Sequence, residues 1–448
     1  MNKFSIQRFA QISILSAVFF AVWSTSGTRP LAGSVMLGIS ALAFVFSILN
    51  WGFKENSKLS DIAKNPFLLG GGILVLLGII QVLNPHTIAY DADGYLHARS
   101  IEYIKWIPSG IKADAEVYGS AKAVAELLTA YFFASALFFH SKNAKFCKFL
   151  LKFFALNIAA MSIFTIAQKI LNAQAVYFFF STDSQFYGPY YYSNATCAAI
   201  FLGLCATAAS FCLDFDTAKS FKKKMISFLW IFPAIPQTAA IFISTSVGSK
   251  MSVLIFSALL ILFAIFVFLK KRIGNAKTLS AIFAIIIISA FPTFNVAKSS
   301  YESLSPTKKA SVIGRAELAY VAKDVFLKAP IFGSGADSFG YSASKVEMKK
   351  TFGNLFLNSA HNSILNYACE YGIAGIAAIF AVFFLWAKRL FARRKILQTA
   401  NIICLMGLIV STFHSMFDIF LQIPSTMVFY ALIMTLSASI LKEAKDEA

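Results

Sequence analysis

Stretches of about twenty apolar residues alternate with short, lysine-rich polar segments along nearly the whole chain. An apolar run of about 18 residues is long enough to cross a bilayer as a helix. Spans are therefore predicted at 9–24, 31–49, 66–83, 123–140, 149–171, 194–213, 225–243, 251–269, 278–296, 363–386, 400–417 and 422–441. The expected fold class is all-α: a polytopic membrane protein of about twelve transmembrane helices, read as one integral membrane domain over 1–448. The first span does not read as a cleaved signal, because Ser24–Pro30 lacks a small-x-small site and a second span follows at once. Two segments, 84–122 and 297–362, are too long to be simple connections. Loops beyond about 15 residues usually carry function or lack order.

Composition narrows the class. The chain is 58% hydrophobic and 14% charged, whereas soluble proteins carry roughly a quarter charged residues. Its 48 phenylalanines exclude a disordered chain. The net charge of +19 would point to nucleic acid in a soluble protein. Here it collects in alternate short loops, at Lys54/Lys58/Lys64, Lys142/Lys145/Lys148, Lys222/Lys223/Lys224, Lys270/Lys271/Arg272 and Arg389/Arg393/Arg394. Cytoplasmic loops are enriched in Lys and Arg, so these loops and both termini are expected inside and the two long loops outside. No nucleic-acid partner is expected. The six cysteines show no CxxC and no nearby His, which argues for free core thiols rather than a zinc site or a disulfide framework.

The span interiors are nearly free of charge, with Lys152, Lys169, Glu370 and Asp418 as the few candidates. Polar residues gather instead in 297–362. Within it, Gly314–Lys328 places Leu318, Val321, Val325 and Phe326 at helical spacing, a helix fit to lie on a membrane surface or cap a cavity. The site is expected on the outer face.

The stretch Arg315-Ala-Glu-Leu-Ala-Tyr, then Ala329-Pro330-Ile-Phe-Gly333-Ser-Gly335-Ala-Asp-Ser-Phe339, then Ala360-His361-Asn362-Ser-Ile-Leu365 and Glu370-Tyr-Gly372-Ile-Ala-Gly375 resembles the signature of the O-antigen ligase/polymerase family. Weaker matches are Gly188-Pro189 to Asn194, Ser249-Lys250, and His414-Ser415 to Asp418 and Pro424. The resemblance implies a GT-C-like integral membrane glycosyltransferase in the bacterial inner membrane. Such an enzyme transfers a glycan from undecaprenyl diphosphate to an acceptor hydroxyl on the periplasmic face. The acceptor is lipid A-core in ligases, another lipid-linked glycan in polymerases, and a protein Ser in some relatives. It also implies that no cofactor and no metal is needed. Donor, acceptor and membrane lipids are the partners it implies.

The residues suit that chemistry. A diphosphate leaving group gathers negative charge, and the planar fork of Arg315 matches phosphate oxygens. Lys250, where the family usually has Arg, brings charge without the fork, and reads equally as a snorkelling lysine. His361 is a candidate base for the attacking hydroxyl, with capping of the next helix as the bland alternative. In-line attack would invert the anomeric centre. Asn194, Asn362, His414 and Asp418 are secondary candidates. Of these, Asn194 reads more simply as an N-cap, and His414 and Asp418 as a pair across one helical turn. Tyr187, Tyr190, Tyr191 and Tyr192 read as an interfacial aromatic belt. Gly333 and Gly335 read as turn formers rather than a phosphate cradle. Asp91-Ala-Asp93 is a rival site for a divalent ion. The spacing leans towards a ligase over a polymerase. A transporter with gating loops is the alternative of another class, although no internal repeat supports it.

Overall fold

The computed structural model describes residues 3–53, 62, 64–92, 95–113, 119–180, 186–270, 306–346, 359–394, 397–439 and 441. Among these, eight helices are long and apolar enough to cross a membrane, and three shorter apolar helices accompany them. Each coincides with an expected span. The remaining expectation, 278–296, lies outside the described residues. The chain is a multi-pass, helical membrane protein.

In chain order the helices are α1 (Lys3–Trp23), α2 (Pro30–Gly52) and α3 (Phe67–Leu83, opening with a π-turn), then α4 (Ser120–His140), α5 (Ala144–Ile170), α6 (Ser193–Thr217) and α7 (Phe221–Ile243). They continue as α8 (Val247–Lys270), α9 (Pro306–Lys328), the short α10 (Phe339–Ala343), α11 (Ser363–Ala392), α12 (Thr399–Ser415) and α13 (Pro424–Ser437). Local signals set several starts. Pro30 and Pro424 occupy first turns, where a missing N–H costs nothing. The Asn143 side chain accepts from the Phe146 N–H, and Gln398 with Asn401 forms a capping box.

Burial in a bilayer gives helices little hydrophobic reason to associate, so close packing of small residues must do it. α6 is the centre of that packing. Its Gly203 lies against Ile158 of α5, and Gly407 of α12 lies against Cys205 of α6. Around it, Phe154 and Phe429 meet at 5.0 Å between ring centroids. Inside the helices Lys152 pairs with Asp214 at 2.6 Å, and the Trp230 indole donates to the same carboxylate.

The segment 84–122 departs from the all-helical expectation. It folds into strands β1 (Pro85–Ala92), β2 (Tyr95–Ser100) and β3 (Gly110–Ala113), in the order β2-β1-β3. Thr87 faces Ser100 across the antiparallel pair, and β3 runs parallel to β1. Thr87 and Ala89 point inward and Tyr90 outward. That period of two rests on small residues, too weak a hydropathy signal to register beside the spans.

Candidate active site

The site forms where α6, α8, α9, α11 and α12 meet at one end of the bundle. Asp418 follows the end of α12 and is buried. A buried carboxylate is stable only when its oxygens are matched, and here they are. The Tyr192 hydroxyl donates to Oδ1 at 2.6 Å, the Asn194 amide donates to Oδ2 at 2.6 Å, and the Ile419 N–H donates to Oδ1 at 2.8 Å. Asn194 also donates to the Tyr192 oxygen at 2.9 Å. Arg315 Nη2 lies 3.7 Å from Oδ2. The backbone carbonyl of Asp418 receives both the N–H and the hydroxyl of Ser363, which ties the segment to the first turn of α11.

His361 precedes α11 with φ at +46°, in the left-handed region that a non-glycine residue adopts at a cost. Its neighbour explains the turn, since the Asn362 side chain accepts from the Ile364 and Leu365 N–H groups as the N-cap of α11. His361 Nδ1 is buried with no hydrogen-bond partner among the described residues. Burial lowers its pKa below the ordinary imidazole value; Asp418 pulls it back up and Arg315 pushes it further down. Arg315 and His361 both line a cavity of about 560 Å3 between α8, α9 and α12. Its walls also include Met251, Ile255, Phe413, Phe417, His414 and Asn362.

α9 holds Arg315 in place by its apolar stripe. Leu318, Val321 and Val325 are buried, with Val321 and Val325 packed in a cluster that includes Phe339, Ala360 and Cys369, so the helix caps the bundle end. After it, the Pro330–Gly335 turn plugs a break in α11. Gly372 leaves helical geometry at φ +63°, which frees backbone groups on both sides. Ser334 and Gly335 N–H groups donate to the carbonyls of Cys369 and Glu370, and those of Ile373 and Ala374 donate to Pro330 and Ile331. Gln81 of α3, fully buried, completes the joint. Its amide donates to Phe332 at 3.1 Å and Glu370 at 2.9 Å, and its oxygen accepts from Ala336 at 2.9 Å. A side chain on Gly333 would fall on the Glu370 carbonyl.

The structure thus brings together Arg315, His361, Asn362, Asn194, His414 and Asp418. Lys250 stands apart, because it does not line the cavity. Three readings are corrected. Asn194 lies inside α6 and bonds Asp418 rather than capping the helix, for which Tyr192 occupies the cap position. His414 and Asp418 make no hydrogen bond to each other, because α12 ends between them and His414 Nδ1 has no partner among the described residues. Tyr187, Tyr190 and Tyr192 anchor inward, to Ala240, Ala21 and Asp418; Tyr191 instead faces Arg29 at 4.7 Å. Of the rival acidic pair, Asp91 lies on β1 and Asp93 lies outside the described residues.

Gln81 belongs to no motif, and its one signal in the sequence is to be a lone polar residue in the apolar run 66–83. The family model described as O-antigen ligase matches residues 233–380, so that segment is similar to the family that the motifs resemble. That segment holds Lys250, Arg315, His361 and the glycine turn; Asn194, His414 and Asp418 lie beyond it. No curated protein matches the chain.

Proposed function

From the O-antigen ligase match over 233–380, we propose that this chain is a membrane glycosyltransferase that moves a glycan from undecaprenyl diphosphate to an acceptor hydroxyl. We place it in the bacterial inner membrane with both termini cytoplasmic and the site periplasmic, acting as an O-antigen ligase on lipid A-core. The observation that carries the reading is the shared cavity of Arg315 and His361, two groups of opposite chemical purpose.

In this reading the diphosphate lies against Arg315. Asp418 holds one edge of the guanidinium, and the remaining N–H groups face the leaving oxygens as charge develops. The acceptor hydroxyl attacks the anomeric carbon as the carbon–oxygen bond to the diphosphate breaks, with inversion. His361, kept neutral by burial, takes the hydroxyl proton on a ring nitrogen. Lys250 adds a second positive charge from outside the cavity lining. None of these steps calls on a metal. The apolar walls suit the polyprenyl chain.

The test is a gel of surface glycolipid from a strain lacking the protein, run beside its pool of lipid-linked glycan. Loss of surface glycan with long polymer on the carrier supports the ligase. Surface lipid with a single repeat and no long polymer makes the chain a polymerase. An unchanged pattern in both pools rejects both.

A further inference from the structure

A second cavity, of about 390 Å3, forms where α5 ends and α6 begins, beside the end of α7. Short stretches of chain tie it to the first. Ser244 and Thr245 line it, and Val247 and Gly248, a few residues further on, line the cavity of Arg315 and His361. Ser193 lines it as well, and the next residue, Asn194, donates to Asp418. Both cavities therefore belong to the same end of the bundle.

Its floor is set before any ligand arrives. Thr165, Gln168 and Ser244 are buried there. Tyr187 is held at both ends, its carbonyl accepting from the Thr196 hydroxyl at 2.6 Å and its own hydroxyl donating to the Ala240 carbonyl. Gly188, at φ +67°, lies so close to α5 that a side chain would fall on the Thr165 hydroxyl. A wall fixed in this way spares a ligand the cost of ordering it. Lys169, Asn172 and Thr245 are exposed and leave the mouth open.

The chemistry of the wall selects the ligand. Among the described residues it holds one cation, Lys169, and no carboxylate. Lys169 forms no ion pair with the described residues. Beside it stand the amides and hydroxyls of Asn172, Gln174, Ser193 and Thr245, which both donate and accept, as the hydroxyls of a sugar ring do. The ammonium favours an anion, since charge-assisted hydrogen bonds are roughly twice as strong as neutral ones. A hard metal cation would meet repulsion and no carboxylate, and a polyprenyl chain would strand the polar groups. The volume falls within the range of about 300–1,000 Å3 usual for small-molecule sites.

We propose that this cavity binds a sugar carrying a phosphate or a carboxylate, with Lys169 on the anion and Asn172, Ser193 and Thr245 around the ring. That the sugar belongs to one of two glycan substrates rests on the proposed function, in which the first cavity already holds the lipid and the diphosphate.

The test measures binding of glucose 6-phosphate, beside glucose and inorganic phosphate, to the purified full-length protein in phosphatidylcholine nanodiscs. Glucose 6-phosphate should bind more tightly than either fragment. Lys169→Gln, a change at an exposed position, should weaken it by on the order of tenfold, the loss of one charge-assisted hydrogen bond. Lys169→Arg should retain it, and Lys222→Gln should leave it unchanged. No binding to the wild type, equal binding of glucose and glucose 6-phosphate, or full binding in Lys169→Gln would overturn the assignment. So would a loss in Arg315→Gln without one in Lys169→Gln, which would put the sugar phosphate in the first cavity. A transfer assay with donor and acceptor extracted from the native membrane then finds the source. Lys169→Gln should raise KM and keep kcat, for the lipid-linked glycan if the sugar is the donor's and for the acceptor if it is the acceptor's. An unchanged KM for both would refute a substrate role. Absence of transfer by the wild type would instead remove the proposed function, and the glucose 6-phosphate result would still decide whether the cavity binds an anionic sugar.

Discussion

Arg315 and Asp418 meet at 3.7 Å with unequal exposure, the carboxylate side chain at 2% and the guanidinium at 33%. The buried partner fixes the orientation, and the half-exposed one keeps donors for an anion. Arg315→Gln should therefore lower glycan transfer by at least about 100-fold, the scale of losing one transition-state donor. Asp418→Asn keeps the Tyr192 and Asn194 contacts in part and should cost about tenfold. Transfer from a labelled lipid-linked donor, at matched protein abundance, checks both. Wild-type rates in Arg315→Gln would remove that residue from the chemistry.

The environment of His361 sets a pH dependence. Burial lowers its pKa below 6.5, with Asp418 opposing and Arg315 adding to the fall. The ring is neutral at pH 7 and competent as a base, so transfer should fall only as pH drops through the lowered value. Asp418→Asn removes the upward pull and should move that acid limb to lower pH. The stability sign follows the same shift. Between the two pKa values the unfolded chain holds the proton and the folded one does not, so stability from this group is complete above 6.5 and declines as pH falls. A pH profile of the two proteins tests the direction, and an upward shift in Asp418→Asn would contradict it.

The glycine joint predicts a stability result. Gly372→Ala puts a methyl group on the Ile331 carbonyl at a φ of +63°. It should cost on the order of 2–4 kcal/mol and reduce membrane abundance. Gly38 in α2 has nothing within 4 Å of its would-be Cβ, so Gly38→Ala should be neutral or stabilising by up to about 1 kcal/mol. Thermal unfolding of both in detergent makes the comparison; equal midpoints would refute the joint.

Lys250 lies outside the cavity wall that Arg315 shares with His361. Lys250→Ala should slow transfer less than about tenfold, well below the effect of Arg315→Gln. A larger loss would bring Lys250 into direct contact with the diphosphate.

Hydropathy made the spans legible, because a twenty-residue apolar run has few other uses. Motif residues made Arg315 and His361 legible. The partners of Asp418 were not, since Tyr192 and Asn194 come from a helix start far upstream and only tertiary packing brings them together. The break at Gly372 was hidden because the apolar pattern runs on through it. The small sheet was hidden for the opposite reason, its inward residues Thr87 and Ala89 being too small to mark a face.

The Gln81 joint also has a history in time. Its amide is synthesised 251 residues before the Phe332 carbonyl that receives it. At about 5–20 residues per second, the wait is roughly ten to fifty seconds. Throughout it, α3 carries an amide in an apolar helix without its final partners, in surroundings where unmatched polar groups are costly. The first half of the molecule must therefore be held by the insertion machinery or by water at the bundle end until the second half arrives. A chain cut short before the glycine turn never leaves that state, and membrane quality control would meet it as an exposed amide on an otherwise finished helix.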